Sequence, residues 1–427
     1  MELLKHTLTQ VAYALVNPTY SMFLILLGFI FYLKNKRNNK IEYMVMGQKN
    51  VSAFELTISQ IVIGIFGGAL ASILITLLGI NFDAQSNVYI IFIISIILMM
   101  VNPRFICLSY SGAILGLFSL IFSLIGVLIN KPEINIFVVD IINLVALIGI
   151  MHFVEGILVM VDGKRGAIPI FGSRDNKIVG GFAFKRLWAL PVVLLMAIAN
   201  NHGVTGDVIN TPIWWPLLNH KENKILFETV VLAALPLYTV VGYTSVTFTK
   251  TKGKKTLMSG LYISLYGLIL IILAPIAKIG VIAKFLLILF MPIAHELMLK
   301  IQRKREVNGE PIYISDNEGI MILDVAKNSF GEKIGLRSKD IILNINNLDM
   351  NDDEFIFKFM EQVPNNLYME IKRGTEKLFI NETVEKKIRP GIVIVPRVIP
   401  NKNKVLKIEN TFEDILRKIK ERDKSDN

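Results

Sequence analysis

A polytopic α-helical membrane region followed by a small α+β domain is the fold class this sequence predicts, and three observations predict it. Of the 427 residues, 53% are hydrophobic and only 19% are charged. A mean hydropathy of +0.52 is too apolar for an ordinary soluble chain. The apolar residues dominate up to about residue 298 and charged residues dominate after it, which divides the chain into residues 1–300, a domain at 306–398 and a charged tail at 400–427.

A helix needs about 20 mainly apolar residues to cross a bilayer. Nine stretches qualify as spans: 12–33, 57–79, 86–102, 105–129, 135–161, 187–200, 226–248, 256–276 and 279–298. The sixth is short, so the expected count is eight or nine. Lys and Arg cluster after the first, fifth, seventh and ninth spans, for example Lys164, Arg165, Arg174, Lys177, Lys185 and Arg186 after the fifth. By the positive-inside rule the N-terminus is expected outside and the C-terminal domain in the cytoplasm. The opening MELLKHTLTQ lacks a charged n-region and a small-residue cleavage site, so no removed signal peptide is expected. Trp214 and Trp215, in the expected outer loop 201–225, fit an interfacial belt.

The net charge of +11 does not point to nucleic acid, because the cations sit in short clusters between apolar runs, where topology explains them. Contact with anionic lipid is compatible. The single cysteine, Cys107, excludes an intramolecular disulfide and a cysteine metal cluster.

Ionisable residues inside a span invite a functional reading. The fifth span carries Asp140, His152 and Glu155, with Asp162 at its inner end. His152 and Glu155 are three apart and share a helix face. They can serve as a proton relay in a transporter or as a structural polar contact between helices. No inverted repeat with matching broken helices accompanies them.

Residues 294–299, AHELML, hold half of a zinc-protease motif. HExxH needs two histidines four apart to hold the metal, with the Glu between them as general base. After His295 and Glu296 the second ligand position is Leu299, so neither zinc proteolysis nor any other metal site is expected. Glu296 and Lys300 are instead spaced as a helix ion pair near the inner end of the last span. Ser109, Ser111, Gly112 and Gly116 lack a G-x-S-x-G context, and with Gly67-Gly68 they read as close helix packing. No Walker loop or dinucleotide fingerprint is present, and neither catalysis nor a cofactor is expected.

Beyond residue 306 the pattern changes to short strands: PIYI (311–314), GIMILDV (319–325), KDIILNIN (339–346), NLYMEIKR (366–373), EKLFINETV (376–384) and GIVIVP (391–396). Asn328 or Ser329 caps a short helix that Gly335 ends, and a helix over 351–363 carries an apolar stripe of Ile356, Phe359, Met360 and Val363. In the tail, Phe412, Ile415, Leu416 and Ile419 fall at helical spacing behind Thr411, which predicts a short amphipathic helix.

The stretch GIMILDVAKNSFGEKIGLRSKDIILNIN resembles a PDZ domain. Gly319, Val325, Ser329, Gly335-Leu336, Asp340, Ile342 and Asn346 match that pattern. Phe330-Gly331, Lys339 and Asn347 depart from it. RPGIVIVP looks like the carboxylate loop and its strand, moved to the end as in circularly permuted bacterial PDZ domains. The resemblance implies a peptide-binding groove made by Arg389, Gly391, Ile392 and Val393, with Phe355 and Phe359 on the helix side. A plain core strand is the alternative for 391–396.

The combination of a polytopic region bearing HFVEGILVMVDG with GEPIYISDNEGIMILDV and the terminal RPGIVIVP is similar to the MinJ-type cell-division topology proteins. That resemblance implies a scaffold in the cell membrane, concentrated at the septum and poles, whose partners are of the MinD and DivIVA type. Two other classes remain open on the residues alone. One is a transporter or lipid-interacting protein with a regulatory PDZ domain. The other is a non-catalytic relative or modulator of membrane proteases.

Overall fold

The computed structural model describes residues 2–47, 51–83, 86–101, 105, 107–131, 139–175, 177–199, 215–218, 230–349, 353–384, 387–397 and 406–407. The apolar part begins with α1 (Glu2–Val16), α2 (Pro18–Met46) and α3 (Ala53–Leu78). A short strand β1 (Asn81–Asp83) precedes α4 (Ile90–Val101), α5 (Leu108–Leu128) and α6 (Ile141–Asp162). Strands β2 (Ile168–Arg174), β3 (Lys177–Ala199) and β4 (Val230–Thr247) follow. Then come α7 (Lys252–Leu273), a 3-10 turn (Ala274–Ile279) and α8 (Val281–Asn308).

Among the described residues, five helices are long and apolar enough to cross a membrane: α3, α5, α6, α7 with its 3-10 turn, and α8. The pair α1–α2, bent by 67° at Asn17-Pro18, makes a sixth if it counts as one span. Pro18 fits this break because proline is favoured at the first position of a helix, and the Asn17 side chain caps the new N-terminus by accepting from Thr19 N–H. The expected third span is only the 12-residue α4. At 1.5 Å per residue it is about 18 Å long, too short for a hydrocarbon core of about 30 Å.

The expected helices at 187–200 and 226–248 are corrected outright. Among the described residues, 187–199 and 230–247 are strands, paired antiparallel from Phe182↔Thr247 to Ala199↔Val230 in one long hairpin. Hydropathy registers how apolar a stretch is and not its backbone geometry. The residues here favour strand: β-branched Val192, Val193 and Ile198 in β3, and Val, Thr and Tyr throughout β4. Pro191 and Pro236 each lie inside a run where a helix would lose a hydrogen bond.

Strand backbone among apolar surroundings must have its polar groups satisfied by protein. Along β3 one edge is met by β4, and the other by β2 at 168–174 and by β1 at Asn81–Asp83. Helix α3 covers β3, and Ser72 Oγ accepts from Val193 N–H. The close approach needs glycine: a Cβ on Gly64 would stand 2.2 Å from Ala189 O, and one on Gly68 would stand 2.3 Å from Pro191 O. The expected small-residue packing around Gly67-Gly68 is therefore present, with a strand as one partner. Gly112 and Gly116 face the side chains of Ile148, Leu144 and Ile288.

The C-terminal sheet consists of β5 (Ile320–Val325), β6 (Ile341–Ile345), β7 (Leu348–Asp349), β8 (Asn366–Arg373), β9 (Glu376–Thr383) and β10 (Ile392–Ile394). Its order is β10-β5-β6-β8-β9, with β7 paired to β6. The short helix α9 (Phe330–Lys333) is capped by Ser329, whose hydroxyl accepts from Glu332 N–H, and Gly335 ends it at φ 82°. Helix α10 (Asp353–Glu361) buries Ile356 and Phe359 against Leu367, Met369 and Ile392. PIYI is not a strand of this sheet. Instead Ile312 N–H donates to Phe248 O and Gly180 N–H donates to Tyr313 O, so the segment bridges the root of the long hairpin. Of the tail, only Leu406–Lys407 is described, as a two-residue strand β11 parallel to β2; the expected helix around Phe412–Ile419 lies outside the described residues.

Glu306, near the end of α8, clasps this junction. One carboxylate oxygen accepts from the N–H groups of Phe248 and Thr249 and from the hydroxyls of Thr247 and Thr249. The other lies 3.4 Å from both Lys250 and Lys255. Removing it strands several buried donors at about 1–3 kcal/mol each. Glu306→Ala is expected to destabilise the chain by ~3 kcal/mol and to open the 309–315 link to protease. Limited proteolysis against the unsubstituted chain measures this.

Candidate functional site

Helix α6 is the centre of the membrane region, with nearly every residue from Ile141 to His152 buried. It packs backbone to backbone on α7. A Cβ on Gly149 would stand 2.7 Å from Gly267 O, and one on Gly156 would stand 2.5 Å from Gly260 O. This fixes the height and rotation of α6 and so points His152 inward.

Three elements bring side chains together halfway along α6. Cys107 caps the N-terminus of α5, where its sulfur accepts from Ser109 N–H at 3.5 Å. His152 Nε2 lies 3.0 Å from Cys107 Sγ, and His295 Nε2, from the middle of α8, lies 3.5 Å from the same sulfur. The two imidazole centroids are 5.6 Å apart. Both histidines are buried, at 3% and 8% exposure, so this is a polar cluster enclosed by apolar helices.

The surrounding groups orient the rings. His152 Nδ1 is 2.8 Å from Ile148 O, which can only accept, so Nδ1 carries the proton and Nε2 presents its lone pair to Cys107. His295 Nδ1 faces Tyr110 Oη at 3.4 Å, and that hydroxyl donates to Glu296. Ser109 Oγ sits 3.3 Å from His152 Nε2 and 2.8 Å from Tyr266 Oη, which donates to Met291 O. Glu155, one turn below His152, interacts electrostatically with Cys107, His152 and His295. A small cleft lined by Leu108, Met151, Leu147, Ile91 and Leu194, with Thr239 as its one polar residue, adjoins the cluster.

His152 and Glu155 thus belong to one site, and Asp140 does not. Asp140 is the N-cap of α6: its carboxylate accepts from Ile142 N–H and from the Asn143 amide. A carboxylate at a helix N-terminus is stabilised by the orphan N–H groups there, which explains its place without a functional role. Glu296 takes the hydroxyl of Tyr110 and so belongs to the cluster's second layer. Trp215 is not a belt residue: it is buried at 5% exposure and its indole N–H donates to Thr76 O. Trp214 lies outside the described residues.

Of the six expected groove residues, Gly391, Ile392 and Val393 are buried, Phe359 is buried, Phe355 is half-buried and Arg389 is exposed. β10 is the terminal strand of its sheet, antiparallel to β5, and Gly391 adopts φ 66° while its carbonyl accepts from Ala326 N–H. Ile392 packs into the C-terminal core and Val393 into the cluster that holds Phe182, Tyr313 and Leu323. β10 therefore lies at the seam between the sheet and the membrane region. A Cβ on Gly47, at the end of α2, would stand 2.9 Å from the Arg389 guanidinium. Asp324 and Lys252 bridge the same seam at 2.8 Å.

Cys107 and His295 were each visible in the sequence as isolated signals, a lone apolar cysteine and half a motif. Their separation of 188 residues hides their meeting. No protein-family model matches the chain, and no curated protein sequence matches it.

Proposed function

We propose that this chain is a membrane-anchored scaffold whose C-terminal domain is a PDZ-like module facing the cytoplasm, and that it serves bacterial division-site placement by binding partners of the MinD and DivIVA type. The observation that carries the binding role is β10, a terminal strand preceded by a glycine at positive φ, in the sheet that α10 packs against. A strand end of this kind is the element to which an extended peptide adds in β-augmentation. The division role rests on the sequence resemblance.

The charge distribution supports the orientation. Arg165, Arg174, Lys177 and Lys252 gather at the end of the membrane region where the C-terminal sheet sits, the pattern of a cytoplasmic face. The ties at Lys252–Asp324 and Glu306 would hold such a module at a fixed place over the membrane surface.

The test uses the full chain in lipid nanodiscs with purified MinD-type and DivIVA-type proteins. At least one is expected to bind, and Phe355→Asp, at a half-buried position of α10, is expected to weaken that binding at least ~10-fold, the loss of about 1.4 kcal/mol. Binding by neither protein overturns the reading.

A further inference from the structure

We propose that Cys107, His152 and His295 form a zinc site inside the membrane region, with three protein ligands and a fourth position open. Among the described residues these are the three side chains whose donor atoms converge, all within 4.8 Å of one another. Zn–S and Zn–N bonds of about 2.3 and 2.0–2.1 Å give tetrahedral S···N edges of about 3.6 Å. The observed 3.5 Å to His295 matches that edge, and the 3.0 Å to His152 reaches it with a small rotation of the thiol.

The second layer is that of a metal site. A ligating histidine characteristically donates its other N–H to a carbonyl or carboxylate, which sets the tautomer and raises its basicity. His152 does so directly to Ile148 O. His295 has a similar arrangement through one intermediary: Nδ1 faces the Tyr110 hydroxyl, which donates to the Glu296 carboxylate. Both Nε2 lone pairs then aim at the space beside Cys107 Sγ.

Charge argues the same way. A cluster of ionisable groups within apolar helices is costly unless its charges cancel. When zinc binds, the thiol proton leaves to water and the two imidazoles stay neutral. The Cys107 thiolate then offsets part of the +2 of the ion, and Glu155 sits one helical turn from His152 on α6. One thiolate with two imidazoles is a borderline-soft donor set that suits zinc over magnesium or calcium. The ion would pin the start of α5 to the middle of α6 and α8.

The test is metal analysis of the full chain purified in detergent without added metal. About one zinc per chain is expected, falling to background in Cys107→Ser and His295→Ala. A chelated chain titrated with Co²⁺ should show a thiolate-to-cobalt charge-transfer band that Cys107→Ser abolishes. It should also unfold at a lower temperature than the zinc-loaded chain, a difference that the Cys107→Ser variant lacks. The cobalt titration reads the unsubstituted chain, so it stands even if a variant fails to fold. Zinc below about a tenth of an equivalent together with no charge-transfer band, or zinc content unchanged in both variants, would overturn the proposal.

Discussion

Gly156→Val should be among the most damaging single substitutions in the chain. A Cβ at Gly156 would stand 2.5 Å from Gly260 O and 2.6 Å from Ser264 N, both backbone atoms that cannot turn aside as a side chain tip can. The glycines pair at matching heights, Gly149 with Gly267 and Gly156 with Gly260, seven residues apart on each helix. Between helices in lipid the hydrophobic drive is absent, so such contact surface carries much of the association. Overpacking a tight interior costs about 1–3 kcal/mol when neighbours can adjust, and here ~3 kcal/mol or more is expected. The sign is a strongly lowered unfolding midpoint in detergent, with the His152 cluster displaced. Gly253→Val, on the exposed start of α7 with nothing within 4 Å, should leave that midpoint unchanged. Equal behaviour of the two variants would contradict the backbone-contact account.

The second large effect is expected at Asp162 and Arg186. The pair joins the end of α6 to β3, with both side chains 2% exposed. One carboxylate oxygen of Asp162 also accepts from the indole N–H of Trp188 at 2.8 Å, and the guanidinium donates to Ser59 Oγ at 2.7 Å and to Leu56 O at 3.4 Å. The network therefore ties α6, α3 and the hairpin at one point. Removing one partner leaves a buried charge uncompensated, at about 3–5 kcal/mol. Asp162→Leu alone should lower the unfolding midpoint severely, while Asp162→Leu with Arg186→Met should recover much of the loss. Thermal unfolding of the four proteins forms a double-mutant cycle, and strictly additive effects would contradict the pairing.

Local chemistry was legible wherever a residue acts on its own neighbours. Ser329 and Gly335 sit where cap preferences put them. The apolar stripe of α10 faces the core as its spacing requires. Hydropathy located α3, α5, α6, α7 and α8. It misread the hairpin because a strand and a helix buried among other helices are equally apolar. The discriminating signs, Pro191 and Pro236 within β-branched runs, are weak until their pairing is seen. The central cluster failed to emerge for a different reason. His152 stands out in the sequence as an ionisable residue within a span, but ligand motifs are recognisable only at fixed spacing along one helix. Cys107, His152 and His295 come from three separate elements, so only tertiary packing gives them a common centre.

The scaffold reading is tested most directly by following a fluorescent fusion of the full chain through the division cycle in growing cells. Enrichment at the septum and poles is the result this account predicts, lost in Phe355→Asp while the amount in the membrane is unchanged. A uniform membrane signal at every stage would contradict it.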